Sequence, residues 1–313
     1  MFSYVVQRLF ATVVVMAVVA FVVFLLLYLT PGDPAAILAG DAATDDDIRR
    51  IREKLGLGEP FLTRFGSWVW GLLHGDLGQS IFTNLPVTHL IGQRIGPTLS
   101  LTLCTLVVAV AVAVPLGVIA AARVGTWVDR AVMAFSVGGF SVPVFVLAYI
   151  LILVFSVQLD WLPVQGYKPM SEGLWEWARH LILPSIALGT VYIALIARIT
   201  RATMLDVLAQ DYVRTAQAKG LAPGAVLIGH ALKNAAVPIV TVIGIGIALL
   251  IGGAIVTETV FAIPGIGRLT VDAILRRDYP IIQGVVLIFS AAYVLINLAV
   301  DLSYMVFDPR IRY

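Results

Sequence analysis

The chain has 313 residues, of which 60% are hydrophobic and only 13% are charged, and its formal net charge is +2. Soluble globular chains carry about 25% charged residues, so this chain has too few to cover a surface that faces water. A lipid bilayer is therefore the expected solvent, and the small net charge does not indicate a nucleic-acid partner. The single cysteine, Cys104, excludes a disulfide within the chain and a cluster of thiolate metal ligands.

Six segments are apolar enough to cross a hydrocarbon core of about 30 Å, which takes roughly 20 helical residues. They are Leu9–Leu29, Thr98–Ala122, Ala131–Val157, Leu181–Ala197, Asn234–Val256 and Ile281–Val300. The first is longer than the core of a signal peptide, so we expect it to stay uncleaved. The fourth is short but can continue past Arg198. The predicted fold class is all-α: a polytopic membrane protein with about six transmembrane helices.

Lysine and arginine near the span ends favour an orientation with both termini in the cytoplasm. With that orientation the inner side holds Arg8, Arg123, Arg130, Arg198, Arg201, Arg214, Lys219, Lys233, Arg310 and Arg312. The short outer loops hold Lys168, Arg179, Arg268, Arg276 and Arg277. The sequence therefore predicts a multi-pass protein with an inward-facing N-terminus.

Proline and glycine punctuate the spans. They are Pro115, Gly138, Gly139, Pro143, Gly244, Gly246, Gly252 and Gly253. Small residues let membrane helices approach closely, and the same residues could also provide flexible points for alternating access. The sequence leaves both interpretations open.

The long first loop, residues 31–96, contains two helical patterns. Thr44 is expected to cap a helix that begins with three aspartates. A second apolar stripe falls on Phe61, Phe65, Trp68, Val69 and Leu72, which is typical of a helix at the membrane surface. A lid packed on the outer ends of the spans is favoured over a solute-binding element, and a docking surface for an external partner is a third possibility.

The inner loop between the fourth and fifth spans is polar, basic and helix-prone, with a Gly-Leu-Ala-Pro-Gly break in its middle. This pattern predicts a helix–turn–helix. Small residues at Ala216, Ala218 and Gly220 leave a surface that another protein can approach closely. We therefore expect a cytoplasmic partner here, with a bare charged loop as the alternative.

Several catalytic patterns are absent from the sequence. It has no phosphate-cradling G-x-x-x-x-G-K-[ST] motif and no H-E-x-x-H motif, and its four histidines show no metal-ligand spacing. Asp301, near the end of the last span, is expected to form a helix-end pair and not a translocation site. The sequence thus offers no catalytic constellation, and an enzyme is not expected.

Short motifs spread over nearly the whole chain carry a family resemblance. They are LTPGDPA at 29–35, LGL at 55–57, GLLHGDLGQS at 71–80, YVRTAQAKGL at 212–221, HALKNA at 230–235, ETVFAIPGIGRL at 258–269, RDYPIIQG at 277–284 and DPRIRY at 308–313. On these motifs the chain resembles permease subunits of bacterial binding-protein-dependent ABC importers, in the peptide/nickel branch and of the DppB/OppB type. The resemblance implies the type I ABC importer permease fold and the bacterial inner (plasma) membrane.

In that family the inner loop contains a coupling helix that sits in a groove of the ATPase subunit. Its general signature is E-A-A-x-x-x-G-x(9)-I-x-L-P, and here Arg214, Thr215 and Ala216 stand at E-A-A, Gly220 is the glycine, and the Glu, first Ala, Ile and Pro are replaced. The resemblance implies coupling at roughly Asp211–Leu221. The residues assigned to it are Asp211, Tyr212, Arg214, Thr215, Ala216, Lys219, Gly220, Leu221, His230 and Leu232.

The resemblance also implies an organisation and a set of partners. Residues 1–30 are the N-terminus and first span, 31–96 an extracytoplasmic helical loop, and 97–313 the core permease domain with the coupling loop at 201–233. The partners are a second homologous (DppC/OppC-like) permease subunit, two ATPase subunits and an extracytoplasmic substrate-binding protein, assembled in the lipid bilayer. ATP and Mg²⁺ are expected in the ATPase subunits, with no cofactor in this chain.

The segment Thr257–Arg268 is a candidate outer gate or docking element, although a tight loop between spans explains it equally well. Its candidate residues are Glu258, Phe261, Pro264, Gly265, Gly267 and Arg268. The main alternative function is an ion-coupled secondary transporter, which needs ionisable or cation-coordinating groups at mid-span; the sequence has few. The solute stays open among dipeptides, oligopeptides, glutathione, nickel chelates, haem and other small polar solutes.

Overall fold

The computed structural model describes residues 2–30, 32–39, 43–54 and 56–307, and over these ranges the chain forms helices and no strand. The helices are α1 Phe2–Leu29, α2 Pro34–Ala39, α3 Asp45–Lys54, α4 Phe61–Leu73, α5 Val87–Ala122, α6 Trp127–Ser141, α7 Val144–Leu151, α8 Leu174–Leu208, α9 Asp211–Ala218, α10 Pro223–Ala225, α11 Ala236–Val260, α12 Ile266–Arg276 and α13 Tyr279–Phe307. Two π-helical segments, Ile152–Gln158 and Val226–Leu232, continue α7 and α10, and a 3₁₀ turn covers Met170–Glu172. The motif DPRIRY, with Arg310 and Arg312, lies outside the described residues.

The predicted spans appear as apolar helical segments. Four helices, α1, α5, α8 and α13, are each long and apolar enough to cross a bilayer, and two bent pairs bring the total in the described chain to six. One pair is α6 with Val144–Gln158, and the other is Pro223–Leu232 with α11. The expectation of about six spans is thereby confirmed, provided that each bent pair counts as one. The fourth span does continue past Arg198, to Leu208.

The third span differs from the continuous helix expected over Ala131–Val157. α6 ends at Ser141, and the following helix is bent away from it by 103°. Val142 is extended, with φ −92° and ψ 120°, because the ring of the next residue, Pro143, sterically disfavours the helical region for the residue before it. The proline therefore splits this span into two helices.

The chain divides into two compact units. The first comprises Pro97–Pro264 and the chain from Leu295 onward, and the second comprises Phe2–Gly96 and Gly265–Val294. This division follows contacts within the chain. The boundaries predicted after residues 30 and 96 separate the membrane spans from a loop outside the membrane, and they stay a prediction.

The core of the first unit is built around α8. Its buried side chains pack with those of α5, α7 and α11, among them Leu101, Ala109, Ala148, Leu181, Leu188, Ile196, Val242 and Leu250. Two of the punctuating glycines allow close approach. A Cβ at Gly139 would lie 3.1 Å from the Cβ of Ala194, and a Cβ at Gly244 would lie 2.1 Å from Cγ2 of Val300. Packing therefore accounts for these two glycines.

The second unit has its own apolar core. The start of α5 packs against α12 and the start of α13 through Val87, Leu90, Ile91, Ile266, Leu269, Ala273, Ile281 and Val285. Asp278 lies beside this core and is only 3% exposed. It accepts a hydrogen bond of 2.5 Å from Oγ of Ser80 and one of 3.2 Å from the backbone N–H of Ile81. These bonds satisfy the buried carboxylate, and they connect Ser80 and Ile81, which precede α5, to the end of α12.

Helix α4 packs its aromatic face on the C-terminal end of α1. The ring of Phe24 lies 5.5 Å from Phe61, 5.3 Å from Phe65 and 5.2 Å from Trp68, measured between centroids. The predicted apolar face of α4 is thus the face that covers the first span. The predicted cap of α3 is also present, because the backbone N–H of Asp47 donates to Oγ1 of Thr44. Thr44 in turn donates from Oγ1 and from its backbone N–H to the Asp47 carboxylate, and these two bonds hold the pKa of Asp47 below its usual value.

Candidate functional site

The loop after α8 has the predicted helix–turn–helix form. α8 ends at Leu208, the backbone of Gln210 is extended, and α9 then runs for eight residues from Asp211 to Ala218. An acidic residue in the first turn, Asp211, lies at the positive end of the helix dipole. After a turn the chain returns through α10 and Val226–Leu232 into α11. A short helix therefore stands between two of the long apolar helices of the first unit.

Gly220 ends α9 in a left-handed conformation, with φ +79°. Its N–H donates to the carbonyl of Gln217 at 2.9 Å, and the N–H of Leu221 donates to the carbonyl of Ala216 at 3.3 Å. This is the usual way in which a glycine closes a helix. A Cβ at this position would meet open space, so the requirement for glycine comes from the backbone and not from a neighbour.

One face of α9 holds the helix to its own chain. Val213 is fully buried and Ala216 is 8% exposed, and both pack with Val226 of the returning segment. Val207 and Leu208 at the end of α8 complete this small cluster. Residues three apart share a helix face, so a single stripe fastens α9 to α8 and to the segment that leads into α11.

The rest of α9 faces outward. Its exposed residues, with those of the following turn, are Asp211, Tyr212, Arg214, Thr215, Gln217, Ala218, Lys219, Gly220 and Leu221. Two of them carry apolar surface, since Tyr212 is 44% exposed and Leu221 37% exposed. Arg214 lies 3.4 Å from Asp211, in an exposed pair that leaves both groups accessible. The surface thus combines charge, a ring and small residues.

The predicted coupling residues fall into two groups. Seven of the ten lie on this exposed surface, whereas Ala216 is buried and His230 and Leu232 are half-buried. Leu232 packs on a cluster that joins α5, α8 and the start of α11, formed by Val118, Ala121, Met204, Ala231, Ala235 and Ile239. The three inward residues therefore connect the loop to the spans, and the seven outward residues are the ones available to another protein.

An ion pair beside the loop was missed by the sequence analysis. Arg201 of α8 donates from Nη2 to Oδ2 of Asp129 at 2.8 Å and makes a second hydrogen bond from Nε to Oδ1. The N–H of Gly125 donates to the same carboxylate at 2.9 Å. The Asp129 side chain is 6% exposed and that of Arg201 22% exposed. The sequence did contain a signal for this pair, because Asp129 lies in the first turn of an apolar helix and Arg201 lies at the end of another span.

The residues of the candidate outer gate lie in different settings. Glu258 is fully buried and accepts a hydrogen bond of 2.6 Å from Oγ1 of Thr98, and the carbonyl of Phe261 accepts one of 2.8 Å from the N–H of Gly166. Pro264 is exposed and ends the first unit. Gly265 and Gly267 are buried and Arg268 is half-buried, and all three belong to the second unit. Their role as a gate stays a prediction.

Among the residues that the structure describes, no group of three or more His, Cys, Asp or Glu side chains could hold a metal ion.

Two family models match the chain. The model of the N-terminal region of binding-protein-dependent transport system membrane components matches residues 1–102, and the model of binding-protein-dependent transport system inner membrane components matches residues 113–313. The chain belongs to this family. As a member it is the permease, the membrane-embedded component of an ABC importer.

Curated relatives of this permease align over nearly their full lengths. A probable peptide ABC transporter permease of Sinorhizobium fredii is 56% identical over 99% of both chains. A putative peptide transport system permease of Brucella abortus is 44% identical and a glutathione transport system permease of Escherichia coli K12 is 43% identical, each over 100% of both chains. A solved structure of the MetNI methionine ABC transporter, facing inward, contains a chain with a TM-score of 0.59 at 18% identity, covering 71% of this chain and 97% of that one.

Family membership decides between the functions considered from the sequence. An ABC importer permease works with ATPase subunits and a binding protein, and it is a membrane component and not an enzyme. The similarity to the MetNI chain supports the expected type of permease fold. The ion-coupled alternative finds no support among the relatives, and the family places the permease in the inner membrane.

Proposed function

We propose that this permease forms half of the translocation pathway for di- or oligopeptides, and that α9 with the turn to Leu221 receives the movement of an ATPase subunit. The observation that carries the proposal is the two-sided character of α9. Val213 and Ala216 fasten it to its own chain, while its other residues stay exposed. A helix that binds another subunit and transmits its movement needs one face packed on its own chain and one face exposed for binding.

The path by which movement would leave α9 is supported by packing. The buried stripe contacts Val207 and Leu208 at the end of α8 and Val226 on the way to α11. A displacement of α9 would therefore act on both helices at once. ATP binding in the partner favours one global state over the other, and this preference is the source of the differential free energy. ATP and Mg²⁺ are held by the ATPase subunits in this proposal.

Peptide is the proposed solute class because of the relatives. Those from Sinorhizobium fredii and Brucella abortus are named for peptide transport, and the Escherichia coli relative is named for glutathione, itself a tripeptide. The proposal also includes a second homologous permease, two ATPase subunits, an external binding protein that delivers the peptide, and both termini in the cytoplasm.

Cysteine cross-linking in the assembled transporter tests the coupling role. Cys104 is the single cysteine, so a Cys104→Ser background gives a clean start. Ala218→Cys, on the exposed side of α9, should cross-link to a cysteine placed in the ATPase groove. Ala216→Cys, two residues away and buried, is the matched control and should not react.

ATP-dependent uptake of a labelled dipeptide into proteoliposomes tests the solute. Uptake that needs ATP on the ATPase side and external binding protein is the expected result.

Equal cross-linking at residues 216 and 218, or none at either in an active transporter, would contradict the coupling role. An active transporter that takes up no peptide would contradict the solute assignment alone.

A further inference from the structure

A cavity of about 800 Å³ lies in the second unit, beside the C-terminal end of α1. Its apolar walls include Phe24 of α1 and Trp68 of α4. The segment between α3 and α4 and the first turns of α13 close other sides. A volume of roughly 300–1,000 Å³ with both aromatic and polar walls is typical of sites for small ligands. The packing of α4 on α1 thus leaves a half-open pocket next to it.

The charged groups on the cavity wall are not all matched. Arg52 pairs with Asp33, whose side chain is 22% exposed. Arg64 lies over the rings of Phe24 and Tyr28, 6.0 and 5.7 Å from their centroids, and makes no ion pair with any residue in the described ranges. Glu59, just before α4, is exposed and likewise has no ion partner among those residues. One cation and one anion are therefore available to a ligand.

A buried amide on the same wall also lacks a partner. Gln283 of α13 is only 8% exposed and lines the cavity, and its side chain makes no hydrogen bond within the part of the chain that the structure covers. The amide atoms of Gln283 are not among the fully buried unpartnered atoms of the described chain, so they remain open to the cavity and can take hydrogen bonds from a ligand. An amide both donates and accepts, so a peptide bond is the group that complements it most directly.

We propose that this cavity binds a short zwitterionic peptide. Its carboxylate pairs with Arg64, its ammonium group with Glu59, its amide with Gln283, and an apolar side chain lies against Phe24 and Trp68. The inference rests on the proposed peptide transport and on the proposed outward side of this segment, and it adds a place where solute is held beside α1. A zwitterionic phospholipid head group carries both charges but has no peptide bond to offer to Gln283.

Binding of L-alanyl-L-phenylalanine to the purified complete transporter tests the proposal, measured by calorimetry in phosphatidylcholine nanodiscs. Arg64→Met and Glu59→Gln should each weaken binding about tenfold, the effect of one hydrogen bond to a charged group, and Gln283→Leu about fivefold. For the dipeptide with a C-terminal amide, which has no carboxylate, Arg64→Met should bind as tightly as the wild type does. For the N-acetylated dipeptide, which has no ammonium group, Glu59→Gln should bind as tightly as the wild type does.

Matched controls lie in the same unit but away from the cavity. Arg50→Met and Glu53→Gln on α3, and Gln93→Leu on α5, change the same residue types and should leave binding unchanged. Thermal unfolding of each variant shows whether it remains folded. Equal losses for the free and the capped peptides, or equal losses in the control variants, would overturn the inference.

Two further results separate this inference from its competitors. If mass spectrometry finds phosphatidylethanolamine retained by the native transporter and lost from Arg64→Met, while the dipeptide does not bind, the cavity is a lipid site and the inference fails. ATP-driven uptake of the same dipeptide, measured in parallel, tests the proposed function separately. ATP-driven uptake by a transporter whose dipeptide binding is unchanged in Arg64→Met, Glu59→Gln and Gln283→Leu would overturn the inference and leave the proposed function standing.

Discussion

The loop around α9 and the segment around α4 are both helical connections between spans, but they use their apolar residues differently. α9 buries only Val213 and Ala216 and exposes the rest of its surface. Phe24 of α1 is buried among half-buried rings of α4, which has no buried residue of its own, and the same unit has a separate core along α5, α12 and α13. The first connection leaves most of its surface exposed, whereas the second lays its aromatic face on α1.

This difference shows how a contact element can be recognised in a single subunit. A connection with a small inner core and a broad exposed face has little to lose when a partner is absent and much surface to offer when one is present. A connection whose aromatic face is already packed on a span of its own chain, as in α4, has less apolar surface to offer. The following predictions test the contrast, from the largest expected effect to the smallest.

Phe24→Ala should have the largest effect on stability, about 3 kcal/mol, because the ring is only 5% exposed among the rings of α4. Denaturant unfolding in detergent measures it. Phe10→Ala on the same helix is the control, since that ring is 69% exposed. Similar losses of unfolding free energy in the two variants would contradict the packing of Phe24 among the rings of α4.

Asp129→Asn should cost about 2 kcal/mol, because it leaves Arg201 without its carboxylate in a largely buried setting, with a discount for the part of the arginine that is exposed. Asp206→Asn, an exposed acid on α8, is the control. Adding Arg201→Gln to Asp129→Asn should recover part of the loss. An additive double variant would show that the two residues do not act as a pair.

Val213→Ala and Tyr212→Ala should separate stability from coupling on adjacent residues of α9. Val213 is fully buried, so its truncation should cost about 1–2 kcal/mol. Tyr212 is 44% exposed, so its truncation should leave stability unchanged while it lowers ATP-driven uptake several-fold. Unfolding and uptake are measured on both variants. Normal uptake by Tyr212→Ala would remove this residue from the contact surface.

Gly220→Ala should cost about 1 kcal/mol, because the backbone is left-handed at that residue. Gly224→Ala is the control, since Gly224 lies in α10 without a positive φ and faces open space. Gly220→Trp would strain the turn and also add bulk. Ala218→Trp adds bulk alone, so loss of uptake with unchanged unfolding in Ala218→Trp would identify the docking effect more cleanly.

Features that depend on neighbouring residues were predictable from the sequence. The long apolar runs, the cap at Thr44, the apolar face of α4 and the helix–turn–helix of the inner loop each follow from composition or periodicity over a few turns. The family motifs at 212–221 and 258–269 then indicated where a partner or a gate is to be sought. In the inner loop, however, periodicity did not say which face of α9 is turned inward.

Features that depend on distant residues were not predictable. The pair of Asp129 with Arg201 and the bonds of Asp278 to Ser80 join residues far apart in sequence. The inward position of Ala216 depends on Val226 beyond the turn. The cavity exists only because α1, α4 and α13 meet around it. The break at Pro143 had a local signal, but a proline inside an apolar run does not by itself fix the angle of the bend.

The length of α8 has a mechanical consequence. It is a single helix of 35 residues, which at 1.5 Å per residue is about 52 Å long, whereas the hydrocarbon core is about 30 Å thick. Such a helix is long enough for both of its ends to extend beyond the hydrocarbon core. A tilt of about 10° around its middle would move each end by about 4–5 Å. A displacement of α9 would therefore reach the opposite end of this one helix, which contains a single proline, Pro184.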